Sequence, residues 1–178
     1  MKFRALIVLA VLLLIVPQAN AGIDWLLGGS VGNATLDVEA APGSTSDMSW
    51  KAYAGMRVIK YVGIEGGYQN LGTADFSEPG MDLSAEVTGW DGYVVGVIPI
   101  QKFEVFGKVG YMAWESQNTF DFGTGPATAT TDGGDIAYGA GGAFKATEHF
   151  AVRAEWEQFQ FDSTDTINMY SLGFDFRF

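Results

Sequence analysis

Arg57, Glu65, Lys108, Arg153 and Glu155 are the residues most open to a chemical role. Each sits inside a stretch that is otherwise apolar or rich in glycine. Buried charges are costly unless paired. Charges of both signs, sparse and mid-segment, therefore read as an internal ion-pair network, with Asp175 and Arg177 at one end. Nucleophilic catalysis needs a nucleophile and a base within hydrogen-bond reach. The single histidine, His149, is followed by Phe150 and Ala151, and its other neighbours are Glu148 and Thr147. It reads as an ordinary turn residue, and no catalytic residue is expected. There is no cysteine, so neither a disulfide framework nor a thiolate metal site is available. Asp121, Asp132 and Asp135 lack an ordered ligand spacing. Gly139-Ala-Gly-Gly142 lacks the following helix of a phosphate loop. The expectation is no metal and no cofactor.

The charges must be positioned by strands, because the chain alternates with period two and shows no convincing run of period 3.6. The last segment is clearest. Tyr170, Leu172, Phe174, Phe176 and Phe178 share one face, with Ser171, Gly173, Asp175 and Arg177 on the other. The same dyad recurs upstream. It predicts strands over about 23–36, 48–59, 62–72, 84–98, 103–116, 134–145, 149–161 and 166 onward. The charge-bearing faces are Lys51, Tyr53 and Arg57; Glu65 and Gln69; Glu104, Phe106, Lys108 and Met112; and Arg153, Glu155 and Glu157. In the fourth strand both faces of Trp90 to Ile98 are apolar, so its facing stays open. The even count, with roughly the 9–11 residues a tilted membrane strand needs, predicts an all-β fold. Its form is an eight-stranded antiparallel up-and-down transmembrane β-barrel.

Lys2 and Arg4 precede twelve apolar residues, Ala5 to Val16, then Pro17 and the small-x-small pattern Ala19-Asn20-Ala21. That order predicts a signal peptide over 1–21 and a barrel domain over 22–178. Twelve apolar residues fall short of the roughly 20 a membrane helix needs. The remaining chain would carry eight basic against 21 acidic residues, a net charge of −13, which excludes nucleic-acid binding through a basic patch.

Connections near 60, 100 and 147 are short, whereas those at 37–47, 73–84, 117–133 and 161–166 are mostly longer. The long ones and their edges hold thirteen acidic and no basic residues; the short turns hold Lys60, Lys102 and Lys145. Short periplasmic turns and long external loops are the outer-membrane pattern. A soluble barrel would instead put aromatics inside and charges outside. Aromatic residues crowd the strand ends, as interfacial girdles do: Trp25, Tyr61, Phe103, Phe150 and Phe178 at one end, Trp50, Trp114 and Trp156 nearer the other. In lipid every backbone group must be paired, so the eighth strand must close on the first.

Trp25-Leu-Leu-Gly-Gly-Ser-Val-Gly32, Tyr61-Val-Gly-Ile-Glu-Gly-Gly-Tyr-Gln-Asn-Leu-Gly72, Phe103 to Trp114 and Phe150 to Trp156 are similar to strands of the OmpA family of small outer-membrane barrels. The resemblance covers nearly all of Gly22 to Phe178. It implies an interior of paired charges, with Glu65 and Arg153 on matching positions and Lys108 at a basic one. Val95 stands where the family has a lysine, and Phe144 where it has an acid. The resemblance also implies that Ser171, Gly173, Phe176 and Phe178 form the C-terminal signal read by the barrel insertion machinery. No peptidoglycan-binding domain is expected after Phe178.

Three functions stay open. A non-enzymatic barrel that supports the envelope and presents acidic loops is favoured, because eight strands leave an interior that side chains can fill. A narrow diffusion pore lined by the charged set is the alternative. A lipid-modifying enzyme is the third, against the missing catalytic parts. Expected partners are outer-membrane lipid, lipopolysaccharide and the insertion machinery, with the barrel a monomer.

Overall fold

The computed structural model describes residues 24–37, 45–78, 81–121, 126–161 and 165–178. The expected signal peptide lies outside them. Eight strands form one closed antiparallel barrel in chain order: β1 (Asp24–Asp37), β2 (Thr45–Ile59), β3 (Val62–Glu78), β4 (Met81–Ile100), β5 (Phe103–Asp121), β6 (Pro126–Lys145), β7 (Phe150–Phe161) and β8 (Asp165–Arg177). Closure runs through β1 and β8, from Leu26↔Arg177 to Asp37↔Thr166. Trp25 and Phe178 add a reciprocal pair of backbone hydrogen bonds at 3.0 and 3.1 Å.

The burial pattern is inside-out. Lys51, Glu65, Glu104, Lys108, Arg153, Glu157 and Asp175 are buried, while Leu27, Val31, Ile64, Val94, Val105, Leu172 and Phe174 are exposed. Period-two alternation turns every second side chain into the lumen. The facing of β4 is thereby settled. Asp91, Tyr93, Val95 and Val97 point inward, and Trp90, Val94 and Ile98 point outward.

Two expectations about lengths and faces are corrected. The segments 73–84 and 117–133 are mostly not loops. β3 continues to Glu78, β4 starts at Met81, β5 reaches Asp121 and β6 starts at Pro126. The β4–β5 ladder is unbroken from Ile100↔Phe103 to Asp82↔Asp121. Polar composition suggested loops, but threonine-rich runs suit strands, and the Thr119 and Thr128 hydroxyls meet at 3.4 Å. Trp114 is not a girdle residue. It shares the parity of Lys108 and Met112, packs against the inner apolar cluster, and donates from Nε1 to Asp135 Oδ2 at 2.7 Å. Gly133 makes room for its ring, since a Cβ there would fall 2.5 Å from the indole.

An upper aromatic rim is nevertheless present on the outer face. The ladders place Trp50, Tyr68, Trp90, Tyr111, Tyr138, Trp156 and Tyr170 at one level, one on each of β2 to β8. Trp50 and Tyr68 are 5.8 Å apart, Tyr68 and Trp90 5.1 Å, Tyr138 and Trp156 5.9 Å. Trp25, Tyr61, Phe103, Phe144, Phe150 and Phe176 mark the lower rim. From Tyr111 to Phe103, β5 covers about 27 Å at ~3.4 Å per residue. At a tilt near 40° that is roughly 20 Å of height, near the ~25 Å apolar band of such barrels.

Local features interrupt the ladders and hold the turns. Gly72 takes φ 96°, a left-handed conformation that glycine adopts without strain. The β3–β4 register shifts nearby, between Asn70 and Thr73, and the β2–β3 ladder reaches only to Trp50↔Asn70. Asn70 Oδ1 accepts from the Gly72 amide at 2.7 Å, and Asp47 Oδ2 from the Thr73 amide at 2.6 Å. At the other end, Thr147 Oγ1 accepts from the amides of His149 and Phe150 and holds the β6–β7 turn.

Candidate functional site: the charged lumen

The inner wall is stacked in tiers. Glu104 on β5 is the hub of the lowest. Both guanidinium nitrogens of Arg57 bond it in a bidentate pair, Lys145 reaches it at 2.9 Å, and Arg177 Nη1 at 2.8 Å. Arg177 Nη2 also donates to Asp175 Oδ2 at 3.0 Å, and Tyr53 donates its hydroxyl to Asp175 Oδ1 at 2.7 Å.

The ion pairs of the middle tier join three strands. Arg153 on β7 donates to both oxygens of Glu65 on β3, at 2.7 and 3.2 Å, and from Nε to Glu155 at 2.5 Å. Lys108 on β5 pairs with Glu155, with Glu157 at 2.8 Å and with Glu65 at 3.6 Å. The guanidinium of Arg153 lies over Phe106 at 4.1 Å, and the ammonium of Lys108 over Tyr93 at 4.2 Å. Gly139 lets these chains pass. A Cβ there would stand 3.1 Å from both Lys108 Cε and Glu157 Cγ.

Above them Lys51 on β2 donates to Glu157 at 2.9 Å and faces Asp91 at 3.3 Å. Tyr93 donates to the same Glu157 oxygen at 3.0 Å. Lys51, Lys108 and Arg153 thus face Glu65, Asp91, Glu155 and Glu157. In the lowest tier Arg57, Lys145 and Arg177 face Glu104 and Asp175. One tier has a surplus carboxylate and the other a surplus cation, so together they balance.

The level of the upper aromatic rim is apolar inside as well. Leu71, Met112, Ala137, Phe159, Ile167 and Met169 are buried together, with Val87 and Trp114 against them. Gln69 Nε2 donates to the sulfur of Met112 at 3.3 Å. Below, the cavity between Glu65, Val95, Phe106 and Arg153 has a volume of about 20 Å³, room for about one water molecule. A wider vestibule of about 250 Å³ opens at the lower end, lined by Asp24, Arg57, Lys145, His149 and Arg177.

Of the five residues singled out from the sequence, the structure brings four together in the middle tier, Glu65, Lys108, Arg153 and Glu155; Arg57 instead pairs with Glu104 in the lowest tier. The structure adds Lys51, Tyr53, Asp91, Tyr93, Glu104 and Glu157. Lys51, Glu104 and Glu157 were legible, since each shares strand and parity with a named residue. Asp91 was the one charge in the ambiguous stretch of β4, Trp90 to Ile98. Phe144 is corrected: it is not an inner position. It lies on the outer face, 40% exposed, with its ring 5.0 Å from Phe103. Ala143 turns inward instead. Of the C-terminal set, Ser171 is buried in the wall and Phe176 faces outward. His149 is exposed in its turn, stacked 6.2 Å from Phe176.

Among protein families, the model of the outer membrane protein beta-barrel domain matches residues 6–178. The chain belongs to that family. No curated protein sequence matches it. Among solved structures it is similar to Ail, the attachment invasion locus protein of Yersinia pestis, solved with the heparin analogue sucrose octasulfate. Identity is 15% and the TM-score 0.69, over 89% of this chain and 100% of that one. Neisserial surface protein A gives 13% identity and a TM-score of 0.65, over 90% and 100%. The N-terminal barrel of Pseudomonas aeruginosa OprF gives 13% and 0.51, over 85% and 97%. At such identities the likeness is one of fold. With the family it makes this an outer-membrane barrel.

Proposed function

We propose that the protein is a closed, non-enzymatic envelope barrel that presents an acidic surface outside the cell. The filled lumen carries this reading. The charged tiers pair and balance in charge, the apolar layer covers them, and the hole between them holds about one water. Conduction needs a passage that the lumen formed by the described residues does not offer. Export through the periplasm and delivery to the insertion machinery by Ser171, Gly173, Phe176 and Phe178 belong to the same proposal, as do lipid and lipopolysaccharide around the barrel.

The outward surface is the upper part of β3 to β6, which outruns its neighbours. β6 pairs with β5 from Pro126 onward but with β7 only from Ala137. Ail has been solved with a polysulfated sugar. The corresponding end of this chain holds thirteen acidic and no basic residues, which suits cationic partners and repels polyanions. Thr130→Cys is expected to react with a membrane-impermeant maleimide on intact cells, and Lys60→Cys only after the outer membrane is opened. The reverse pattern would overturn the orientation, and with it the presented surface.

A further inference from the structure

The upper aromatic rim is interrupted on one strand. β1 offers Val31 and Asn33 where β2 to β8 each offer an aromatic ring. The ladders set two outward rows across β7, β8 and β1: Trp156, Tyr170 and Asn33 above, and Ala154, Leu172 and Val31 below. A groove of about 560 Å³ lies along them. Ala154 is its smallest outward side chain. Trp156 Nε1 donates to Asn168 Oδ1 at 3.2 Å, which fixes the indole at the upper edge.

We propose that this groove binds one acyl chain of an outer-leaflet lipid. It rests on the family's placement of this face in the membrane. The upper row is amphipathic, with an indole, a phenol and an amide, as suits the headgroup boundary. The lower row is apolar, as suits the chain beneath it. A second copy of the barrel is the poorer occupant. Six side chains present far less than the roughly 800 Å² that each partner buries in a stable dimer. The groove is shallow and open along its outer side, and a chain lying in it gains dispersion contacts with its apolar walls.

The test uses two single-tryptophan barrels, one keeping Trp156 and one keeping Trp50, with the other tryptophans changed to phenylalanine. Both are refolded in detergent micelles and titrated with phosphatidylcholine brominated on its acyl chains. Quenching of Trp156 is expected to saturate at one lipid per barrel, while Trp50 follows the micellar lipid fraction. Native mass spectrometry of the unmodified barrel should retain one phosphatidylcholine. Ala154→Phe should lower that adduct at least fivefold, and Ala52→Phe, also outward, should leave it unchanged. Equal quenching of the two tryptophans, an adduct indifferent to Ala154→Phe, or a protein dimer in place of the lipid adduct would each overturn the proposal.

Discussion

Arg153 on β7 and Glu65 on β3 meet across the lumen in a bidentate pair, with N–H donors 2.7 and 3.2 Å from the two carboxylate oxygens. They lie 88 residues apart in sequence, and only closure of the sheet brings them together. Removing one partner of a buried pair leaves an uncompensated charge, at a cost of roughly 3–5 kcal/mol. Arg153→Ala and Glu65→Ala should each destabilise on that scale in reversible urea unfolding from lipid vesicles. The double variant should lose less than the two losses added, by about 1 kcal/mol or more. Glu155 and Lys108 blunt the coupling by offering substitute partners. Additive losses would mean that the pair carries no mutual energy.

Glu104 should be the most sensitive single carboxylate of the lower tier, because three cations converge on it. Glu104→Ala leaves the half-buried Arg57 and Arg177 without their shared acceptor and should cost roughly 3 kcal/mol. Lys145→Ala removes a side chain that is 36% exposed. It should cost under about 1 kcal/mol, as solvent-screened pairs do. Equal costs for the two variants would show that Glu104 is not the hub.

The ion pairs were legible in part, and the reason lies in periodicity. Parity alone placed Glu65, Lys108, Arg153 and Glu155 on inner faces, because a two-residue repeat assigns a whole strand once one face is known. β4 failed that test. Val94 and Val95 or Val97 and Ile98 are equally apolar, and only the ladder to β5, with Val95 opposite Lys108, assigns them. The apolar layer of Leu71, Met112, Phe159 and Met169 was not legible either. Each residue reads locally as one more apolar strand residue, and its neighbours come from distant strands. The ends of β3 to β6 were misread for a different reason. Above the membrane both faces of a strand are wet, the hydrophobic alternation fades, and Thr119 or Thr128 looks like loop.

Asp47 should give the barrel's upper edge a pH dependence. Its carboxylate accepts from the amides of Met48 and Thr73, at 2.7 and 2.6 Å, and these bonds hold its pKa below the usual 3.8. A group depressed on folding stabilises the fold above its unfolded pKa, and that contribution is lost as pH falls through the folded value. The Thr73 amide resonance should therefore shift with a midpoint below pH 3.8, and the shift should vanish in Asp47→Asn. A midpoint above 3.8 would show that these amides do not favour the charged form.

The central claim is that side chains close the lumen, and single-channel recording of the refolded barrel in a planar bilayer tests it most directly. At neutral pH and molar salt the wild-type protein should show no sustained unitary conductance. The truncation Met112→Ala with Phe159→Ala thins the apolar layer and should be the first to raise brief openings. A steady, ion-selective conductance from the wild-type barrel would contradict the account, because no such current can cross a lumen filled as this one is.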